Sequence, residues 1–293
     1  MIKVWDYLDE YKTHRKEFLS AIDNVFKSST LVFGPKLAEF EEKFTKFVGT
    51  KFGLGVGNGT DALYIALRSL EIGQGDEVIT TSNTAVPTVT AIVNAGAKPI
   101  FVDVDEFHLI DVKKIENKIT KKTKAIMLVS LQGLPIDIDP IINLAKKYNL
   151  KIIEDNAQDV LGMYKNSLAG TKGDIGVWSF ENKKHLSGAT EGGIVATNNK
   201  KLAERIRKFA GIGYKNMSAS GGRTSLSIEK VQNPNYERFD TIGLNYRMPQ
   251  IVAAVCLAQL KNAKKIVSKR RSVANIFRKQ IKNCDWLIEQ KIP

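Results

Sequence analysis

The feature that most constrains the fold is an alternation of short β-rich runs with helical runs through the middle of the chain. The predicted strands cover residues 77–80, 99–104, 124–130, 151–154, 174–180 and 193–197. The helical patterns between them cover residues 60–70, 86–95, 140–148 and 200–209. This alternation is typical of a mostly parallel sheet with helices on both faces, so we predict an α/β fold.

The two ends of the chain differ from this middle. Residues 1–18 are rich in charge and lack the apolar core of a secretory signal. From Pro249 to about Lys279, apolar residues recur at helical spacing, which predicts one long helix or two joined ones. The final CDWLIEQKIP resembles the first strand of a further domain. We therefore divide the chain into a large domain at 1–248, with an N-terminal helical segment, and a long helix at 249–293 that leads into a truncated small C-terminal domain.

The net charge of +13, from 44 basic and 31 acidic residues, raises nucleic acid, an anionic membrane or an acidic small substrate as partners. The sequence shows no recognition helix or zinc finger, and no run of the roughly 20 apolar residues that a membrane span needs. We expect neither a nucleic-acid nor a membrane partner, and a cytoplasmic location. Cys256 and Cys284 stand far apart, so we expect no disulfide framework and no metal site.

A glycine-rich segment, GVGNGTDAL at 55–63, precedes a helical pattern. Backbone N–H groups at a helix N-terminus bind phosphate, and Thr60 or Asp61 can serve as the N-cap. A dinucleotide-binding fingerprint is a competing interpretation, but its third glycine would fall on Thr60. An ordinary turn with a cap is the third possibility.

Two further segments carry titratable groups where strands are predicted to end. In KIIEDNAQ, Glu154 and Asp155 end a strand, and a carboxylate there can pair with the ring nitrogen of pyridoxal 5′-phosphate (PLP), or simply cap a helix. In DIGVWSFENKKHLSGATEGG, Lys183 and Lys184 follow a strand. An enclosed lysine with a lowered pKa is a nucleophile, whereas the alternative is two solvated loop lysines.

The segments GNGTDAL, IIEDNAQ, SFENKKHLSGATEGGIVATN and GLNYRMPQIVAAVCLAQL, in this order, resemble the DegT/DnrJ sugar aminotransferases. The resemblance extends from Gly34 to about Arg278. It implies a three-layer α/β/α PLP-transferase fold of type I, with residues 1–248 as the PLP-binding domain. It also implies a homodimer with shared active sites.

The same resemblance implies a role for each matching residue. Lys184, rather than Lys183, would carry PLP as a Schiff base and act with Asp155 in catalysis. Asp155 would pair with the ring nitrogen, and Gln158 would reach the phenolic oxygen. The phosphate would be held within the subunit by Gly59, Thr60 and Ser179. Asn245 of the neighbouring subunit would reach the same phosphate.

The chain departs from the family pattern in two ways. Most relatives carry an aromatic residue that stacks on PLP, where SNTAVPT at 82–88 places Ala85. Relatives also continue for about a hundred residues into a small domain that walls one side of the active site, a size that small domains commonly have.

The implied activity is transfer of an amino group, typically from glutamate, to a keto-sugar that is usually linked to a nucleoside diphosphate. A PLP-dependent sugar dehydratase is one alternative, although in such relatives a histidine replaces the lysine found here at Lys184. A non-catalytic PLP-binding or regulatory protein is the second alternative. A nicotinamide-dependent dehydrogenase is the third.

Overall fold

A seven-stranded sheet forms the centre of the protein in the computed structural model, which describes residues 6–220, 228–282 and 284–292. Its strands are β1 (Phe52–Val56), β2 (Glu77–Thr81), β3 (Lys98–Val102), β4 (Thr123–Val129), β5 (Lys151–Asp155), β8 (Ile175–Ser179) and β9 (Gly193–Thr197). Two short strands, β6 (Met163–Tyr164) and β7 (Ser167–Leu168), form a separate hairpin.

The helices that accompany the sheet alternate with its strands along the chain. They are α1 (Tyr7–Lys27), α2 (Pro35–Val48), α3 (Gly59–Ser69), α4 (Val86–Asn94), α5 (Val112–Ile115), α6 (Asp139–Tyr148), α7 (Lys200–Ala210), α8 (Ile228–Gln232) and α9 (Gln250–Ile281). Two single 3-10 turns lie at Glu116–Lys118 and Leu131–Gly133.

The strand order β1-β9-β8-β5-β4-β2-β3 confirms a mostly parallel sheet. Among the described strands of this sheet, β9 alone runs opposite to the direction of the other six. The carboxyl ends of β1, β8, β5, β4 and β2 therefore lie along one edge of the sheet. Ligands of open α/β sheets bind at this edge.

Alternate residues of the central strands enter separate cores, which confirms the three-layer arrangement. Met127 and Ile153 pack with α3, α4 and α7 on one face. Ile126 and Ile152 pack with α6 on the other face. Because side chains of a strand alternate between the two faces, each buried strand contributes to both layers.

The structure corrects three expectations about individual elements. Residues 52–56, FGLGV, form strand β1, although the segment from Gly55 onward was predicted as a turn; two glycines lower its strand propensity. The strand predicted at 99–104 is shifted to Lys98–Val102. The described tail residues 284–292 form no strand, and Gln290 instead donates to the Phe107 carbonyl at 3.2 Å.

The long helix α9 is continuous and begins against the N-terminal helices. Its first residue, Gln250, accepts a hydrogen bond from the Leu37 N–H at 2.9 Å and so satisfies the first turn of α2. A Cβ on Gly34 would lie 1.4 Å from the Gln250 amide nitrogen, so the close approach requires glycine. The first half of α9 and helix α2 share one hydrophobic core, which contains Phe40, Phe44 and Leu257. The domain boundary at 249 remains a prediction.

None of the helices in the described residues is both long enough and apolar enough to span a bilayer.

Candidate active site

A cavity of about 490 Å³ opens at the carboxyl edge of the sheet. It lies where β1, β5 and β8 end and where α3 and α4 begin. Six of the seven predicted site residues line it: Gly59, Thr60, Asp155, Gln158, Ser179 and Lys184. Residues from three motifs, which are spread over more than a hundred positions of the chain, thus converge on one space.

The N-terminus of α3 forms one end of the cavity. Its cap is Asn58, not Thr60 or Asp61 as expected: the Asn58 side-chain oxygen accepts from the Asp61 N–H at 2.8 Å. The Asn58 amide also donates to the Asp61 carboxylate at 2.9 Å. By helix geometry, the N–H groups of Gly59 and Thr60 point out of the helix end, where the helix dipole favours an anion.

Ser179 lies directly against this helix end. It is the last residue of β8 and is buried. A Cβ on Gly59 would lie 2.7 Å from the Ser179 Cβ and 3.0 Å from its Oγ, so glycine is needed for the approach. The hydroxyl of Ser179 and the two backbone N–H groups therefore form a compact set of donors for a phosphate.

Asp155 ends β5, lines the same cavity and is almost completely buried. Its Oδ1 accepts from the Ala157 N–H at 3.1 Å, and its Oδ2 accepts from the Thr88 hydroxyl at 2.9 Å. Burial raises the pKa of this carboxyl, while the two donors and the charge of Lys184 act in the opposite direction. A cation at this position would favour the ionised form.

The neighbouring carboxylate, Glu154, points to the other face of the sheet and does not line the cavity. It accepts three backbone hydrogen bonds, from Gly170 at 2.7 Å, Lys172 at 2.8 Å and Gly173 at 2.6 Å. Of the two acidic residues that end this strand, Asp155 is therefore the one that faces the site.

The two adjacent lysines are also separated by the structure. Lys184 lines the cavity, whereas Lys183 is exposed and does not. The loop is held by hydrogen bonds from the Lys184 N–H to Glu181 O at 2.9 Å and from the Gly188 N–H to Phe180 O at 2.8 Å. This turn directs the second lysine of the pair toward Asp155. Burial raises the pKa of that carboxyl, and the lysine charge opposes the rise.

Three further positions with expected roles at the cofactor are Gln158, Ala85 and Asn245. Gln158 lines the cavity, and its side-chain oxygen accepts from the Gln132 N–H at 2.8 Å. Ala85 forms part of the wall immediately before α4. Asn245 is exposed, lies outside the cavity and accepts a hydrogen bond from Arg247 Nε at 2.7 Å.

Several further lining residues were not predicted from the sequence. Thr88, in the segment 82–88, contacts Asp155 directly. Glu181 and Glu191 also line the cavity with Asp61. Burial raises the pKa of Glu191, and the charges of Glu181 and Asp61 raise it further. Their positions within the two motifs were visible, but only the fold shows which way their side chains point.

Comparison with known proteins gives one consistent result. The family model described as the DegT/DnrJ/EryC1/StrS aminotransferase family matches residues 12–293. GDP-perosamine synthase of Escherichia coli O157:H7 is 41% identical over 268 residues, which cover 91% of this chain and 68% of that protein. The dTDP-3-amino-3,4,6-trideoxy-alpha-D-glucose transaminase of Micromonospora megalomicea subsp. nigra is 36% identical, with 94% and 69% covered.

The solved structures give the same picture for the fold. A DegT DnrJ EryC1 StrS aminotransferase from Brucella abortus is 29% identical with a TM-score of 0.86, and the match covers 100% of this chain and 75% of that one. The chain covers 61% of the solved aminotransferase from Psychrobacter cryohalolentis, which is 36% identical with a TM-score of 0.76. The expected PLP-transferase fold of type I is confirmed.

Proposed function

Because the chain belongs to the DegT/DnrJ/EryC1/StrS aminotransferase family, we propose that it converts a keto-sugar, linked to a nucleoside diphosphate, into an amino-sugar. The cofactor of this family is PLP, and we propose glutamate as the amino donor. The observation that carries the proposal is the convergence of Lys184, Asp155 and the N-terminus of α3 on one cavity of about 490 Å³.

The residues present fit the three functional groups of PLP. The N–H groups at Gly59 and Thr60, with the Ser179 hydroxyl, suit the phosphate. The amine of Lys184 suits the aldehyde, and the carboxylate of Asp155 suits the ring nitrogen. All of these residues line the same cavity. When bound, PLP supplies an electron sink for the charge that develops on the carbon of the amino donor.

The side chains of this chain then have distinct tasks. Lys184 would hold the cofactor through its amine, and the free amine would serve as the base that moves a proton at the carbon of the amino donor. Asp155 would place a negative charge at the ring nitrogen and so favour its protonated form. Gln158, whose side-chain oxygen accepts from the Gln132 N–H, would contact the phenolic side of the ring.

The names of the relatives support the substrate class. Two of them act, by name, on a GDP-linked and a dTDP-linked sugar, and the first is 41% identical to this chain. The diphosphate is the part that the two substrates share. The surplus of basic residues in the whole chain, +13, favours the approach of such an anion.

A second subunit is proposed to complete the site. Of the described residues that line the cavity, Lys184 alone is cationic, against the four carboxyl groups of Asp61, Asp155, Glu181 and Glu191. A phosphate in this cavity would gain from further donors. Asn245 lies outside, in a segment that exposes Phe239, Ile242 and Leu244. Burial of these apolar side chains against a second copy would direct each Asn245 toward the neighbouring site.

A lysine at position 184 also favours transamination over sugar dehydration. In the PLP-dependent sugar dehydratases that resemble this chain, a histidine replaces the lysine. Here the histidine is His185, whose ring is partly buried, and burial with the charges of Arg270 and Lys184 lowers its pKa to about 4. His185 is therefore neutral near pH 7 and lies outside the cavity lining.

The two adjacent lysines provide a matched test of the proposal. The purified protein is supplied with PLP, glutamate and a GDP- or dTDP-linked 4-keto-6-deoxy sugar, and formation of 2-oxoglutarate is measured. We expect Lys183→Ala to retain activity and Lys184→Ala to lose it. Borohydride reduction and peptide mapping should place the pyridoxyl group on Lys184. A pyridoxyl group on Lys183, or a wild-type protein that binds no PLP, would contradict the proposal.

Shared sites are tested by mixing inactive subunits. In a mixed dimer of Lys184→Ala and Asn245→Ala chains, one site carries both changes and the other carries neither. Sedimentation should show a dimer, and PLP retention in the mixture should exceed the average of the two variants. A monomer, or no recovery on mixing, would contradict the shared site.

A further inference from the structure

A chain of two threonine hydroxyls leads from the start of α4 to Asp155. Thr88 is fully buried within the first turn of α4, and its Oγ1 lies 2.9 Å from Asp155 Oδ2. The Oγ1 atoms of Thr84 and Thr88 are 2.7 Å apart. Both distances are in the range of good hydrogen bonds between oxygens.

The direction of this chain follows from the number of protons available. A hydroxyl has one proton to donate, and an ionised carboxylate can only accept. Thr88 must therefore give its proton to Asp155, so the proton between the threonines must come from Thr84. With Asp155 ionised, the order of donation is Thr84 to Thr88 to Asp155.

The two hydroxyl groups matter because Asp155 is buried, where an ionised carboxylate is unfavourable. Burial raises the pKa of this carboxyl, and of the two hydrogen bonds that oppose the effect only the one from Thr88 comes from a side chain. The other comes from the Ala157 N–H, so the backbone fixes one oxygen and Thr88 fixes the second. Two fixed oxygens leave the carboxylate plane no freedom to rotate.

We propose that Thr88, supported by Thr84, is a positioning residue that holds Asp155 ionised and oriented toward the ring nitrogen of the cofactor. This inference rests on the proposed function. Neither threonine is proposed to touch the reacting atoms. The effect should therefore appear in how the protein recognises the ring nitrogen, and not in how it recognises the phosphate or the aldehyde.

The test compares two ligands that differ only at that nitrogen. Dissociation constants are measured by absorbance for PLP and for deaza-PLP, in which a C–H group replaces the ring nitrogen. In Thr88→Val, affinity for PLP should fall roughly 10-fold or more, the effect of losing one hydrogen bond to a charged group. Affinity for deaza-PLP should change less than about 2-fold, because this ligand makes no charged contact with Asp155.

Three variants separate positioning from a general structural effect. Thr88→Ser should recover PLP affinity because it restores the hydroxyl. Thr84→Val should show the same preference as Thr88→Val with a smaller loss, since it removes only the outer hydrogen bond. Thr90→Val, a change of the same kind in the same helix, should leave both affinities unchanged. Thermal unfolding of each apo-protein shows whether it is folded before the titration.

The outcomes distinguish this inference from the proposed function. Equal losses of both ligands in Thr88→Val, or no recovery in Thr88→Ser, would overturn the positioning role while leaving the cofactor site intact. A wild-type protein that does not bind PLP would overturn the proposed function, and this inference with it. If Thr88→Val does not fold, the comparison of Thr84→Val with Thr90→Val decides the question in the same way.

Discussion

The two sides of the sheet at the end of β5 carry neighbouring carboxylates with opposite surroundings. Glu154, on one side, accepts three backbone hydrogen bonds from the loop at 170–173. Asp155, on the other side, has two donors and borders an open cavity. Both are buried, and burial raises the pKa of each. The two carboxylates differ in how far hydrogen-bond donors of the protein occupy the lone pairs of the charged oxygens.

This contrast separates a structural carboxylate from a functional one better than burial does. A buried group whose hydrogen bonds are complete contributes to the folded state and has nothing left to offer a ligand. A buried carboxylate that faces a cavity with hydrogen-bonding capacity left over is a candidate for binding a cation.

Asp155→Asn should have the largest effect, on activity. The variant keeps the shape of the side chain but cannot hold a charge at the ring nitrogen, so transamination should fall about 100-fold or more. Its stability to urea should be equal to or above that of the wild type, because a buried charge is removed. Near-normal turnover in steady-state assays would show that Asp155 is not the functional carboxylate of the pair.

Glu154→Ala should have the opposite profile. Three backbone N–H groups lose their acceptor, and the loss of an acceptor costs about 1 to 3 kcal/mol for each buried donor that water does not reach. We expect the free energy of unfolding to fall by about 3 kcal/mol or more, measured with urea. The remaining folded protein should still bind PLP. A loss of PLP binding without a loss of stability would remove the distinction between the two carboxylates.

Asp159 is an intermediate case, because one oxygen accepts from the Gly162 N–H at 2.5 Å and the other is buried without a partner among the described residues. Burial raises its pKa to about 6. Since the folded pKa lies above the unfolded one, this group stabilises the fold most below pH 4, and its contribution falls as the pH rises toward 6. His185 and Asp159 line one cavity of about 240 Å³. Burial lowers the pKa of His185 to about 4, so its contribution to stability changes with pH in the opposite direction.

The two residues should therefore mask each other in the wild-type protein, and single substitutions should reveal them. Relative to a variant that carries both substitutions, Asp159→Asn retains the histidine and should lose about 2 kcal/mol of stability from pH 7 to pH 5. On the same reference, His185→Asn retains the aspartate and should gain about 1 kcal/mol from pH 7 to pH 5. Urea unfolding at both pH values tests this, and identical slopes in both variants would contradict it.

Ala85→Phe should have the smallest effect, and it should change only PLP binding in the cavity that Asp155 borders. An aromatic ring in this part of the wall could stack on PLP, and such contacts contribute about 0.5 to 1.5 kcal/mol. PLP affinity should therefore rise roughly 3-fold to 10-fold in an absorbance titration. Val86→Phe, at a 76% exposed neighbouring position, should leave it unchanged. Weaker PLP binding in Ala85→Phe would show that the space beside Ala85 is needed for another group.

The sequence alone predicted the parts of this comparison that depend on local pattern. Alternation of strands and helices gave the layered sheet, and short motifs gave Lys184 and Asp155. The orientation of Glu154 could not be predicted, because it depends on a loop that begins 16 residues later. Thr88 was missed because its partner, Asp155, lies 67 residues further along the chain. Strand β1 was missed because FGLGV is held by pairing with β9, not by its own propensity.

The docking of the N-terminal helices on α9 has a consequence for protein synthesis. Glu10 of α1 hydrogen-bonds to Gln259 of α9, which lies 249 residues later in the chain. At about 5 to 20 residues per second, a ribosome needs on the order of 10 to 50 s to make this interval. Until α9 is made, the apolar faces of α1 and α2, with Phe18 and Phe40, lack this partner helix. They still lack it when β9, the last strand of the sheet, has been synthesised. The nascent chain thus carries an uncovered apolar surface that a chaperone can bind until α9 closes over it.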